Sequence, residues 1–183
     1  MHMGMALGSK MWPPRAHGSI AGDGESSSVL DRLEGVVRDL GELQSKLVLL
    51  VGPPGAGKTA LLRALAERHG ATIFNVGAEL AARLAALPQR QRALDAPDTF
   101  RELAEGHART GVLLIDKIEL LFDRSLQLDP LDLVKRQARL VPVVAVWPGE
   151  LRHGRLIYAE IGHPEYRDYG LEGLVPFEVE SKG

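Results

Sequence analysis

Cysteine is absent from the 183-residue sequence. That excludes disulfides, thiolate zinc centres, iron–sulfur clusters and cysteine nucleophiles, and it fits a reducing, cytoplasmic setting. Neither sign of charge dominates: 22 basic against 24 acidic residues leave a formal net charge of −2, so no polybasic excess announces a DNA binder, and any DNA contact would need a local patch. No apolar run approaches the roughly 18 to 20 residues of a membrane span, and the amino terminus lacks the charge-then-apolar order of a secretory signal. Aromatic residues make up only 5% of the chain. With 45% hydrophobic and 25% charged residues, this is the composition of one soluble globular domain, long enough to bury about two-thirds of its unfolded surface.

Through Ser28 the chain is rich in Gly, Ser, Pro and Met, with no helical or strand period. Met1, Met3, Met5 and Met11 leave the start open, and Trp12-Pro13-Pro14 breaks any regular structure. Residues 1–28 read as a flexible leader, in part a cloning remnant, and residues 29–183 as the domain. Ser28 can cap a helix in which Leu30, Leu33, Val36, Val37 and Leu40 recur at helical spacing. Lys46 to Val51 then reads as a strand buried on both faces, followed by a glycine-rich turn and a helix from Lys58 to His69 that Gly70 stops. The pattern continues with a strand at Ala71–Val76 and a helix at Ala78–Leu87 closed by Pro88. After the polar stretch Gln89–Arg92, a helix capped by Asp98 carries Phe100 and Leu103. Further strands are read at Val112–Ile115, ending on Asp116, at Val141–Trp147 and at Leu156–Ile161. Buried strands alternating with helices predict a three-layer α/β fold with a mainly parallel five-stranded sheet.

The most informative motif is Gly52-Pro53-Pro54-Gly55-Ala56-Gly57-Lys58-Thr59, a G-x-x-x-x-G-K-[ST] phosphate loop between a strand and a helix. Its small residues let successive backbone N–H groups point inward at phosphate oxygens, and the helix carrying Ala60 adds its positive end. Lys58 offers a mobile cation to the β and γ phosphates. The Thr59 hydroxyl is a hard oxygen suited to magnesium. A hydrated metal needs a second acidic group, and Asp116, at the carboxyl end of a buried strand, is placed for that role. The expected ligands are therefore ATP and magnesium, with Thr59 and Asp116 holding the metal.

GPPGAGKT followed by a separate VLLID strand resembles the AAA+ and related additional-strand P-loop NTPases. The resemblance implies a glutamate beside the second aspartate to polarise the attacking water, but Lys117 stands there, and an ammonium cannot serve as that base. Glu119 is the candidate replacement, beside Lys58 and Asp116 in the catalytic set. Val146-Trp147-Pro148-Gly149 offers no polar sensor side chain, and residues 162–183 are too few for the helical lid of those enzymes.

The chain also resembles the BrxF family of small P-loop proteins from type 3 BREX phage-exclusion systems. The shared stretches, besides the phosphate loop, are NVGAELAARLAALPQRQRAL at 75–94, LLIDKIELLFD at 113–123, VVAVWPGE and YAEIGHPEY. The resemblance implies a cytoplasmic ATP-binding subunit of an antiviral assembly, acting with other BREX components such as a DNA methyltransferase and a large ATPase.

Two other readings accommodate a phosphate loop. A small-molecule kinase needs arginines over the phosphates, and Arg152 and Arg155, flanking His153-Gly154, are the ones near a lid position. They would serve equally as fingers reaching into a neighbour in a homo-oligomer, or as solvated loop charges. A binding module would use nucleotide only to switch a docking surface. Among the remaining polar residues, Arg83, Arg90 and Arg92 read as a solvated basic cluster. His2, His17, His69, His107, His153 and His163 lack metal-ligand spacing and read as surface positions. Tyr166 and Tyr169 either pack on the core or face a partner, and core packing is the expectation.

Overall fold

Leucine and valine strands with no polar face must be covered on both sides, and a helix layer on each face does so here. In a computed structural model of the chain, which describes residues 24–42 and 46–181, the strands are β1 (Leu47–Val51), β2 (Ile73–Asn75), β3 (Leu113–Asp116) and β4 (Val143–Val146), then β5 (Glu150–Arg152), β6 (Arg155–Tyr158), β7 (Arg167–Tyr169) and β8 (Val175–Glu178). Five of them form a parallel sheet in the order β2-β3-β4-β1-β8. Alternation splits its side chains between two layers. Leu47, Leu49, Leu113, Ile115, Val143 and Ala145 face one core, covered by α3 (Val76–Ala85), α4 (Gln89–His107) and α5 (Pro130–Ala138). Val48, Leu50, Leu114 and Val144 face the other, covered by α1 (Gly24–Asp39) and α2 (Lys58–His69). Leu47 to Leu50 are all fully buried, each contributing about 1.5–3 kcal/mol of transfer free energy. The predicted three-layer fold with a five-stranded, mainly parallel sheet is the fold observed. No helix among the described residues is long and apolar enough to cross a membrane.

Several element boundaries differ from the sequence reading. The first helix starts at Gly24, not Val29, which puts Ser28 inside it. The apolar period begins only where this helix meets the core, so its polar first turn carries no signal. Residues 1–23, with Trp12, His2, His17 and the four candidate start methionines, lie outside the described residues. The fourth helix runs unbroken from Gln89 through Pro97, and Asp98 is interior to it. Ala96, Phe100 and Ala104, all fully buried at four-residue spacing, hold this helix against the sheet in spite of the roughly 3 kcal/mol cost of an internal proline.

The fifth parallel strand is β8, not the predicted Leu156–Ile161. Leu156 to Tyr158 instead pair antiparallel with β5 and β7 in a separate three-stranded sheet. The cause is local: His153 and Gly154 adopt φ of 49° and 72°, the left-handed pair that closes a two-residue hairpin, and so short a loop cannot support a parallel crossover. Pro176 is tolerated because β8 is an edge strand. The small sheet packs on the α3–α5 side through aromatic rings. Phe122 stacks on Tyr158 with centroids 3.7 Å apart, and Trp147 meets Phe122 and Tyr169 edge-on.

Candidate functional site

The carboxyl ends of β1, β3 and β4 come together at one edge of the sheet, where open α/β sheets place their ligands. The turn after β1 reaches α2 through Gly55 and Gly57, at φ of 78° and 96°, conformations that side-chain-bearing residues rarely adopt. A Cβ at either glycine would meet nothing within 4 Å, so the backbone stands open to a ligand. At the start of α2 the N–H groups from Gly57 to Ala60 have no carbonyl one turn back, and Gly57 has no side chain to cap them. Four outward donors at a positive helix end suit an anion.

Lys58, the first residue of α2, folds back over the loop. Its Nζ donates to the carbonyls of Gly52 at 2.6 Å and Trp147 at 3.2 Å. Half-burial lowers the Lys58 pKa, while Glu119 and, less strongly, Asp116 pull it back up and Lys117 adds to the lowering. The next residue, Thr59, donates its hydroxyl to Asp116 Oδ2 at 3.0 Å. Asp116, 5% exposed, ends β3 and also accepts the Lys117 N–H on Oδ1 at 2.8 Å. Two hard oxygens, one of them a carboxylate, thus meet beside the anion cradle, which is the donor chemistry of a magnesium site. Lys58, Thr59 and Asp116, separated by up to 58 positions, lie together at this edge of the sheet.

Lys117 sits in the left-handed region at φ 57° and ψ 51°. It is held there by its own N–H on Asp116 and by its carbonyl, which accepts the Gly77 N–H of α3 at 3.0 Å. Such a turn costs a non-glycine residue on the order of 1 kcal/mol. It ends the strand at once and starts a 3₁₀ turn over Ile118–Phe122. Ile118, Leu121 and Phe122 are buried in this turn while Glu119 is exposed, its charge acting on Lys58. From β6, Tyr158 also lies within the field of Glu119; burial first, then Glu165 and Glu119, raise its pKa.

A groove of about 460 Å³ opens beside the loop, lined by Gly52, Pro53, Pro54, Glu150, Leu151 and Val179 among others. The arginine candidates are otherwise engaged. Arg152 pairs with Glu150, Arg155 with Asp168 and Arg83 with Glu102. Arg92 donates to the Leu87 carbonyl. His69 is not a surface residue: its side chain is 2% exposed, because it packs under α1 with Nε2 at 3.1 Å from Glu34. His107 stacks on Phe74 and faces Glu79 and Thr72. Tyr169 packs against Trp147 and donates to Asp129. Trp147 and Tyr158 are the site neighbours that sequence reasoning missed. The first acts through its carbonyl, which every residue carries, so no residue-type signal could reveal it.

Comparison with known proteins agrees with this geometry. A segment of ABC transporter G family member 32 from Arabidopsis thaliana is 43% identical over 58 residues, 32% of this chain and 4% of that protein. A segment of the ATP-dependent zinc metalloprotease FtsH from Methylococcus capsulatus is 52% identical over 40 residues, 22% of this chain and 6% of that protein. The chain thus matches only a small fraction of the length of either relative. The model of the AAA family, the ATPase family associated with various cellular activities, matches residues 48–140, about half the chain and the whole span from β1 to the end of α5. The chain belongs to the AAA family of P-loop ATPases.

Proposed function

We propose that this protein binds ATP with magnesium and hydrolyses it slowly alone and faster on assembly, as a cytoplasmic subunit of a bacterial BREX phage-exclusion system. The observation that carries the nucleotide reading is the convergence of Lys58, Thr59 and Asp116 on the open donors of the phosphate loop. In this reading those N–H groups and Lys58 bind the phosphates, and Thr59 and Asp116 hold magnesium, which supplies charge neutralisation and template geometry when bound. Slow turnover follows from Lys117: the position beside Asp116 carries a cation, so Glu119 is the carboxylate left to orient water. The BREX assignment rests on the sequence stretches at 75–94 and 113–123 and those downstream. Other BREX components and further copies of this chain are its proposed partners, while the net charge of −2 gives no support to DNA contact. Lys117 also favours a second reading, a nucleotide-switched docking module with negligible hydrolysis.

A phosphate-release assay separates the two. If Glu119 orients the water, Glu119→Gln should lower hydrolysis by about 10²- to 10⁴-fold while ATP binding persists; if no carboxylate does so, wild-type hydrolysis is negligible and Lys117→Glu should raise it. Rapid turnover by the isolated wild type, untouched by Glu119→Gln, rules out Glu119 as the base. Repeating the assay with co-purified products of neighbouring genes, with and without DNA, tests the assembly. No co-purification and no stimulation count against the BREX role.

A further inference from the structure

Lys58 bridges two neighbouring strand ends, Gly52 just past β1 and Trp147 just past β4. Trp147 is itself held from several sides. Its N–H donates to the Leu50 carbonyl at 2.9 Å. Its indole is fully buried, donates from Nε1 to the Ile157 carbonyl of β6 at 3.2 Å, and meets Phe122 and Tyr169 edge-on. Gly149 leaves no slack in this arrangement, because a Cβ there would lie 1.8 Å from the same Ile157 oxygen and 2.9 Å from Trp147 Nε1. The carbonyl that receives the lysine and the middle strand of the small antiparallel sheet therefore belong to one tightly packed unit.

We infer that Trp147 is a positioning residue for Lys58, and that through it the β5–β6–β7 sheet registers whether the phosphate loop is filled. The inference rests on the ATP-binding reading above. The ammonium makes charge-assisted hydrogen bonds to carbonyl and phosphate alike, but only the phosphate adds the Coulomb attraction of an opposite charge. An entering phosphate therefore draws the Lys58 ammonium away from Trp147, and the unit of carbonyl, indole and β6 loses one of its ties. Conversely, the Trp147 carbonyl competes with phosphate for the lysine in the empty site, so it lowers the apparent affinity. No polar side chain at the end of β4 is required, since the acceptor is the backbone.

The sequence contains two tryptophans and three tyrosines, so Trp12→Phe leaves Trp147 as the single tryptophan, excited selectively on the long-wavelength side of tyrosine absorption. That protein is titrated with magnesium ATP and with magnesium tripolyphosphate, which has no base to quench an indole, following emission and heat in parallel. The expected result is a saturable change in Trp147 emission with both probes, at the midpoint of the heat signal. Trp147→Phe, in the otherwise wild-type chain, keeps a ring but loses the bond to Ile157, and it should bind ATP about 2- to 10-fold tighter. A merely structural defect would weaken binding instead. Heat without any emission change, or a folded Trp147→Phe protein with unchanged or weaker affinity, overturns the positioning role and leaves the phosphate-loop reading intact. Absence of heat with both probes overturns the two together. If Trp147→Phe does not fold, the emission titration decides alone.

Discussion

Asp116→Asn separates the metal role proposed for this carboxylate from its structural one, because the two respond differently to the loss of charge. Asp116 accepts the Thr59 hydroxyl at 3.0 Å and the Lys117 N–H at 2.8 Å. An asparagine of the same shape keeps its oxygen on Lys117 N–H and turns its NH₂ to Thr59, whose hydroxyl rotates to accept. Both positions stay paired. Two charge-assisted bonds of about 1.5–3 kcal/mol become neutral ones of about 0.5–1.5 kcal/mol, and removal of a buried charge offsets a loss of this size. The net change in folding stability should be about 1 kcal/mol, a melting shift of roughly 2–4 °C for a chain of this length. Nothing offsets the loss at a cation, where removing such a supporting group typically costs about 10- to 100-fold. Calorimetric titration with ATP, with and without magnesium, should therefore show the magnesium-dependent gain in affinity falling by that factor in a protein that melts almost normally. An identical magnesium response in wild type and variant would refute the metal role. A melting drop beyond about 10 °C would mark Asp116 as mainly a structural anchor.

Lys58→Ala should lower ATP affinity at least about 30-fold in calorimetry while the fold persists, since a half-exposed cation with charge-assisted phosphate contacts is lost. Unchanged affinity in a folded variant would remove the phosphate-loop assignment. Gly149→Ala should destabilise the protein by about 3 kcal/mol, because backbone at Ile157 has to move; thermal unfolding measures the loss, and near-ultraviolet circular dichroism should show the Trp147 signal weakened. Tyr169 gives a pH prediction. Burial first, then the Asp129 carboxylate, push its hydroxyl up to about 12, so folding favours the neutral phenol. The associated stability is complete below the unfolded value near 10 and is lost as pH rises from about 10 towards 12. Denaturant titrations across that interval should show a smaller stability loss in Tyr169→Phe than in wild type.

Much of the molecule was legible from local pattern. Lys46 to Val51 and Val112 to Asp116 are apolar runs with no solvent face, so their burial in a parallel sheet follows from composition and neighbouring helices. The phosphate loop is legible for the same reason: its chemistry depends on backbone shape within eight consecutive residues, and Gly55, Gly57, Lys58 and Thr59 dictate that shape themselves. Less local features were misread. The run from Leu156 looks like a buried strand, yet two left-handed residues at 153 and 154 turn it into a hairpin partner of β5, and the fifth parallel strand comes from Val175–Glu178. Asp98 looks like a helix cap, yet burial of Ala96 and Phe100 carries the helix straight through it.

By itself the sequence determined the three-layer α/β class, the phosphate loop, and the identity of the residue beside Asp116, a lysine where the AAA+ resemblance implies a glutamate. Only the tertiary structure decided what surrounds that lysine. Its left-handed turn depends on an N–H from α3, forty residues earlier, and the charge of Glu119 acts on Lys58 only because this turn lets the chain leave the sheet at Asp116. The second carbonyl under the Lys58 ammonium comes from Trp147, 89 positions away. Backbone donors and acceptors are the same for every residue type, so the partner each one meets is set by packing and leaves no mark in the sequence.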